Sequence, residues 1–139
     1  KMIVKGIKMM MKINRRKLTE IMKKIGQFAK ENQQDREKVD NYFFSIFDYE
    51  NCCMDGLEDG TGCFLPGKLF DIQVKPSEVK KELGNDSKNF KQIFLQKDFG
   101  IFIEYNKDKI EVYSTIDVTY RTKDGILDFR PITIKSIEF

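Results

Sequence analysis

The sequence predicts an α+β domain: an amphipathic N-terminal helix packed on a mostly antiparallel sheet, with a second short helix mid-chain and a C-terminal β-meander. Three observations carry this. Leu18, Ile21, Met22, Ile25, Phe28 and Ala29 recur at three- and four-residue spacings, one apolar stripe of a helix. Ile110, Val112, Ile116, Val118 and Tyr120 alternate with Glu111, Thr115, Asp117, Thr119 and Arg121, the period of a half-buried strand. Turn signals at Asn106–Lys109 and at Lys123-Asp124-Gly125 punctuate the second half into hairpins. A chain of 139 residues is the size of one domain, here 1–139, and buries enough surface to need no staples.

In chain order, Ile7, Met9, Met11 and Ile13 alternate with Lys8, Met10, Lys12 and Asn14 as a first strand. Asn14 suits the N-cap of the helix that carries the stripe. Polarity closes that helix over 31–35, or lets it run on towards Lys38. Tyr42–Tyr49 is aromatic on both faces and reads as a strand covered on both sides. Residues 51–62 form an acidic, glycine-containing loop. Phe70, Ile72 and Val74 mark one face of a strand over 69–74. Pro76 fits the first turn of a short helix and Gly84 its far end. Phe90–Leu95 and Phe99–Tyr105 follow as two strands. Ile126–Phe129 and Ile132–Ile137 finish the sheet, with Pro131 placing a bulge or an edge between them.

A weak internal echo accompanies this order. Ile13 followed by Leu18 and Met22 parallels Val74 followed by Val79 and Leu83, as if one β-α-β-β-β unit were used twice. That unit is the building rule of DNA sliding-clamp domains. Met11-Lys12-Ile13-Asn14-Arg15-Arg16-Lys17-Leu18 resembles the opening of a bacterial clamp, and 101–121 resembles a clamp hairpin. The resemblance implies a topology and a nucleic-acid partner. A bacterial clamp repeats its domain three times, and this chain has room for one.

Charge is the strongest functional signal. The whole chain carries +3, but residues 1–30 contain ten Lys or Arg against Glu20 alone, so the remainder is net acidic. Arg15, Arg16 and Lys17 crowd a first helical turn, where the macrodipole disfavours cations. With Lys23 and Lys24 they form a candidate surface for an acidic macromolecule, protein or nucleic acid. Tyr113, on the polar face of its strand, is a further candidate contact. The aromatic run 42–49 could stack bases but suits a core better. The expected function is a small non-enzymatic binding protein, an inhibitor or adaptor docking through its basic helix. The Lys-, Ile- and Asn-rich, motif-free composition resembles that of phage and mobile-element proteins.

Catalytic alternatives have thinner support. Asp55, Glu58 and Asp59 could hold a divalent metal for a hydrolase or nuclease, but Leu57 and Pro66 break the EF-hand pattern. The chain has no His to serve as base or zinc ligand. Gly60-Thr61-Gly62 lacks the ending of a phosphate loop. No cofactor is expected. Cys52, Cys53 and Cys63 form no metal spacing and read as thiols in a reducing compartment, which places the protein in the cytoplasm. Lys5, Lys8 and Lys12 interrupt the first apolar stretch, which argues against a signal peptide or membrane span. Met11 could be a natural start, with residues 1–10 then either a leader or an added segment. An exposed edge of the meander leaves room for a homodimer by strand addition.

Overall fold

The computed structural model describes residues 12–47, 53–55, 60–65, 70–84 and 90–139, with backbone alone over 53–55 and 90–98. The expected first strand before Lys12 and half of the expected loop over 51–62 lie outside these residues; the other half, 53–55 and 60–62, is not loop but belongs to two paired strands. The architecture is α+β, with three helices on one face of a five-stranded antiparallel sheet.

Helix α1 spans Arg15–Glu31 and α2 spans Arg36–Ile46. Asn14 caps α1, its side chain accepting the Lys17 N–H at 2.8 Å. The predicted stripe is the buried face: Leu18, Met22, Ile25 and Ala29 are enclosed, and Ile21 and Phe28 pack beside them. The helix stops at Asn32, and Asp35 caps a second helix. This corrects the expected strand over 42–49. Val39, Phe43 and Phe47, four residues apart, are buried together, while Ser45 is exposed. A strand would have placed Ser45 inside beside Phe43. Residues 48–49 lie outside the described set.

Strands β1 (Cys53–Asp55) and β2 (Gly60–Leu65) open the sheet. Phe70 and Ile72 are buried as expected, but the only ladder contact described there is a single parallel bridge from Phe70 to Ile13. Helix α3 (Pro76–Leu83) then begins at Pro76 and ends on Gly84, whose φ of 59° closes the last turn. The sheet continues through β3 (Phe90–Asn106), β4 (Lys109–Thr122) and β5 (Leu127–Glu138), in the order β1-β2-β3-β4-β5. β3 is one continuous strand where two were expected. Its register on β4 shifts between Leu95 and Phe99, so the polar residues 96–98 interrupt the pairing and not the strand. The sequence echo is not established as a repeat, because α2 follows α1 where the unit requires a strand.

β4 alternates as predicted: Ile110, Val112, Ile116, Val118 and Tyr120 face the helices and are buried. The turn into β5 has Gly125 at φ 82°, accepting a conformation that side chains resist, with Gly125 N–H bonded to Thr122 O at 3.0 Å and Thr122 N–H to Ile126 O at 2.9 Å. β5 is an edge strand throughout, and its irregularity is not at Pro131. Thr133 faces Thr115 while Lys135 faces Ser114, so Ile134 is the extra residue. That bulge solves a packing problem. Ile132 and Ile137 have opposite parity along the chain, yet Ile132 meets Ile116 and Ile137 meets Val112 on the same core face.

The N-terminal half of the β5 edge is blunted against strand addition. The Thr122 N–H donates to Ile126 O, so by alternation along the ladder Phe129 and Pro131 turn their backbone groups outward. Pro131 has no N–H to offer, and the Phe129 N–H is taken by Asp128 Oδ1 at 2.8 Å. Asp128 Oδ2 also accepts the Tyr120 hydroxyl at 3.0 Å, which fixes the carboxylate in place.

Candidate docking surface

The outer face of α1 is built by the same periodicity that buries its inner face. Arg16, Lys23 and Lys30, seven residues apart, are exposed on the side away from the stripe, with Lys24 alongside and the exposed carboxylates of Glu20 and Glu31 among them, so the face is net basic. Neither ion pair found among the described residues involves them.

The predicted basic cluster divides here. Arg15 faces the fold: its Nη2 pairs with Glu78 at 2.8 Å and donates to Gln73 O at 2.9 Å. Glu78 also accepts the Lys75 N–H at 3.0 Å, so one carboxylate caps α3 and ties α1 to it. That partner answers the dipole objection for Arg15, whose guanidinium is spent on an intramolecular pair while its side chain stays 42 % exposed. Lys17 is half-buried in the same turn. Tyr113 is half-buried on the opposite side of the sheet, stacked on Phe102 at 5.3 Å, and does not join the basic residues. Burial, then Glu104 and Glu111, push its hydroxyl pKa up. Asp55 lies in β1, whereas Glu58 and Asp59 fall outside the described residues. Among the described residues, no cluster of three or more His, Cys, Asp or Glu could hold a metal ion. Nor, among them, is any helix long and apolar enough to cross a membrane. Cys63 is a buried thiol.

Lys23 and Lys24 border a feature that sequence reasoning misses. A shallow groove of about 590 Å³ runs between α1, α2 and the end of β5, floored by Phe28, Tyr42, Ile137 and Phe139. Phe28 and Tyr42 stack with centroids 4.0 Å apart. Phe139 reaches α1 because position 26 is glycine; a Cβ there would fall 2.0 Å from its ring. The lysines, with Gln27 and Glu31, form the rim. Ile137 and Phe139 lie more than a hundred positions from Phe28, so no local pattern announces the groove.

A second polar seam joins α2 to the sheet. Arg36 lies 3.7 Å over the Tyr105 ring, a cation–π contact. Asp40 sits nearby, and burial raises its pKa above the ordinary 3.8, opposed by a hydrogen bond from Thr61 and by Arg36. Asp40 Oδ1 and the Tyr105 hydroxyl are buried with no hydrogen-bond partner among the described residues. A folded pKa above the unfolded one means the native state holds its proton more tightly. Stability from this group is therefore complete below pH 3.8 and is lost as pH rises through the folded pKa. Asp40→Asn, which cannot ionise, is expected to gain stability relative to the parent as pH rises from below 3.8 to neutrality. Urea unfolding of both proteins along that range checks this, and a constant difference would contradict it.

Taken as a whole, the chain matches no protein-family model, no curated protein and no solved structure, so the clamp resemblance gains no support from comparison.

Proposed function

We propose that this is a non-enzymatic binding protein that docks on an acidic protein surface through the outer face of α1. The observation that carries the reading is the position of Lys23 and Lys24 on the rim of an aromatic-floored groove. Cations beside an apolar floor suit a partner that combines carboxylates with an apolar anchor, because the anchor supplies affinity and the charges supply orientation and on-rate. Phosphates alone would make no use of the floor.

Fluorescence anisotropy with defined probes tests this. An acidic peptide bearing Phe and Leu anchors, polyglutamate of equal charge, and labelled single- and double-stranded nucleic acids are compared across a salt series. The anchored peptide is expected to bind best. Lys23→Glu with Lys24→Glu is expected to weaken it more than about tenfold, the scale of a central contact. Nucleic acid bound more tightly, with affinity falling log-linearly in salt, would replace the reading with phosphate binding. No binding to any probe would leave the charges as a solvated helix face.

A further inference from the structure

The side of the sheet away from the helices is as distinctive as α1, and of opposite sign. Among the described residues no helix covers it. Glu104 on β3, Glu111 on β4 and Glu138 on β5 stand directly opposite one another across the ladder. Like charges in direct cross-strand register are destabilising, so sheet stability does not account for the row. Glu138 meets Lys109 at 3.4 Å in a largely exposed pair, and Glu111 accepts the Ser136 hydroxyl. Alongside the row lies an aromatic patch. Phe102 lies over positions 62 and 100, both glycine, where a Cβ would fall 2.2 Å and 2.5 Å from its ring. Tyr113 stacks on one side of it, and Phe64 meets it edge-on at 5.3 Å while staying 39 % exposed.

This open face has the chemistry that the α1 surface calls for: carboxylates beside an exposed aromatic, Phe64. One interval also matches: two strand separations put Glu104 and Glu138 about 10 Å apart, and seven helical residues separate Arg16 from Lys23 by about 10 Å. The geometry points to a second copy of this chain as the partner, the basic outer face of α1 on one copy seated on the acidic open sheet face of the next. The inference rests on the docking role of α1 and names its occupant. The two faces lie on opposite sides of a two-layer fold, so the contact is head-to-tail and can continue from copy to copy. It differs from strand addition at β5, whose edge is blunted at Phe129 and Pro131.

Sedimentation of the full chain at low and high salt tests it, with two double variants. Arg16→Glu with Lys23→Glu removes the basic face; Glu104→Lys with Glu111→Lys removes the acidic one. The parent is expected to self-associate with concentration, less so at high salt. Each variant alone is expected to lose more than about tenfold in association. An equimolar mixture of the neutralised variants, Arg16→Gln with Lys23→Gln and Glu104→Gln with Glu111→Gln, is expected to form a one-to-one dimer and stop there, because each keeps the charged face the other needs and gains no new one. Should a reversed variant lose its native circular dichroism, Arg16→Gln with Lys23→Gln or Glu104→Gln with Glu111→Gln takes its place. A parent that stays monomeric at low salt, or a mixture that does not pair, would overturn the inference. The anchored peptide separates this from failure of the docking reading: continued peptide binding by a monomeric parent sinks only the self-association. Loss of self-association in Glu104→Lys with Glu111→Lys, with peptide binding kept, supports both.

Discussion

Phe43→Ala is expected to destabilise the protein by about 3–5 kcal/mol, the usual cost of emptying a fully buried aromatic site. Phe43 is completely enclosed, with Val39 and Phe47 on the same side of α2 and the Phe47 ring 5.6 Å away. Asn41→Ala and Ser45→Ala, on the exposed side, are expected to stay within about 0.5 kcal/mol. The contrast decides between helix and strand in this segment. A strand would make Ser45 a neighbour of Phe43 in the core, and Ser45→Ala would then change stability appreciably. Denaturant midpoints for the three variants, at unchanged slope, read the result.

Gly60→Ala carries the second large effect. Its Cβ would lie 2.0 Å from the Ile103 carbonyl oxygen and 3.2 Å from the carbonyl carbon, so the obstacle is the backbone of β3. Gly60 pairs with Glu104 at the start of β2, and the chain cannot yield there without breaking the β2–β3 ladder. Overpacking of this kind costs about 1–3 kcal/mol, and a rigid obstacle places Gly60→Ala at the upper end. Gly26→Ala is the control. Its methyl would also clash, at 2.0 Å, but with atoms of the Phe139 ring, which can rotate aside. The substitution also gains about 1 kcal/mol of helix propensity. Thermal unfolding is therefore expected to rank Gly60→Ala well below Gly26→Ala. The opposite order would mean that β2 does not meet β3 in this register.

The candidate surface was only half legible in the sequence. The separation of α1 into a buried stripe and a basic outer face follows from spacing alone, which is why Lys23 and Lys24 fall where expected. Spacing does not reveal that Arg15 turns inward, since Glu78 lies 63 residues away. The facing of Glu104 and Glu111 could have been found, because a turn centred on Lys107 and Asp108 dictates it. Glu138 could not, since its place depends on the bulge at Ile134.

What the sequence by itself determined is everything settled between near neighbours: the Asn14 cap, the α1 stripe, Pro76 and Gly84 bounding α3, the alternation of β4 and the turn at Gly125. Each rests on hydrogen bonds or side-chain spacing within a few residues. Tertiary structure alone decided between helix and strand for 42–46, joined β3 across 96–98, and placed the bulge in β5. The run Tyr42-Phe43-Phe44 is apolar whichever way it folds, so its own residues do not choose a period. The choice is made by Phe28, stacked on Tyr42, and by the pocket that encloses Phe43. Likewise, Ile132 and Ile137 can share one core face only if the strand gains a residue between them, and that demand exists only once Ile116 and Val112 are opposite.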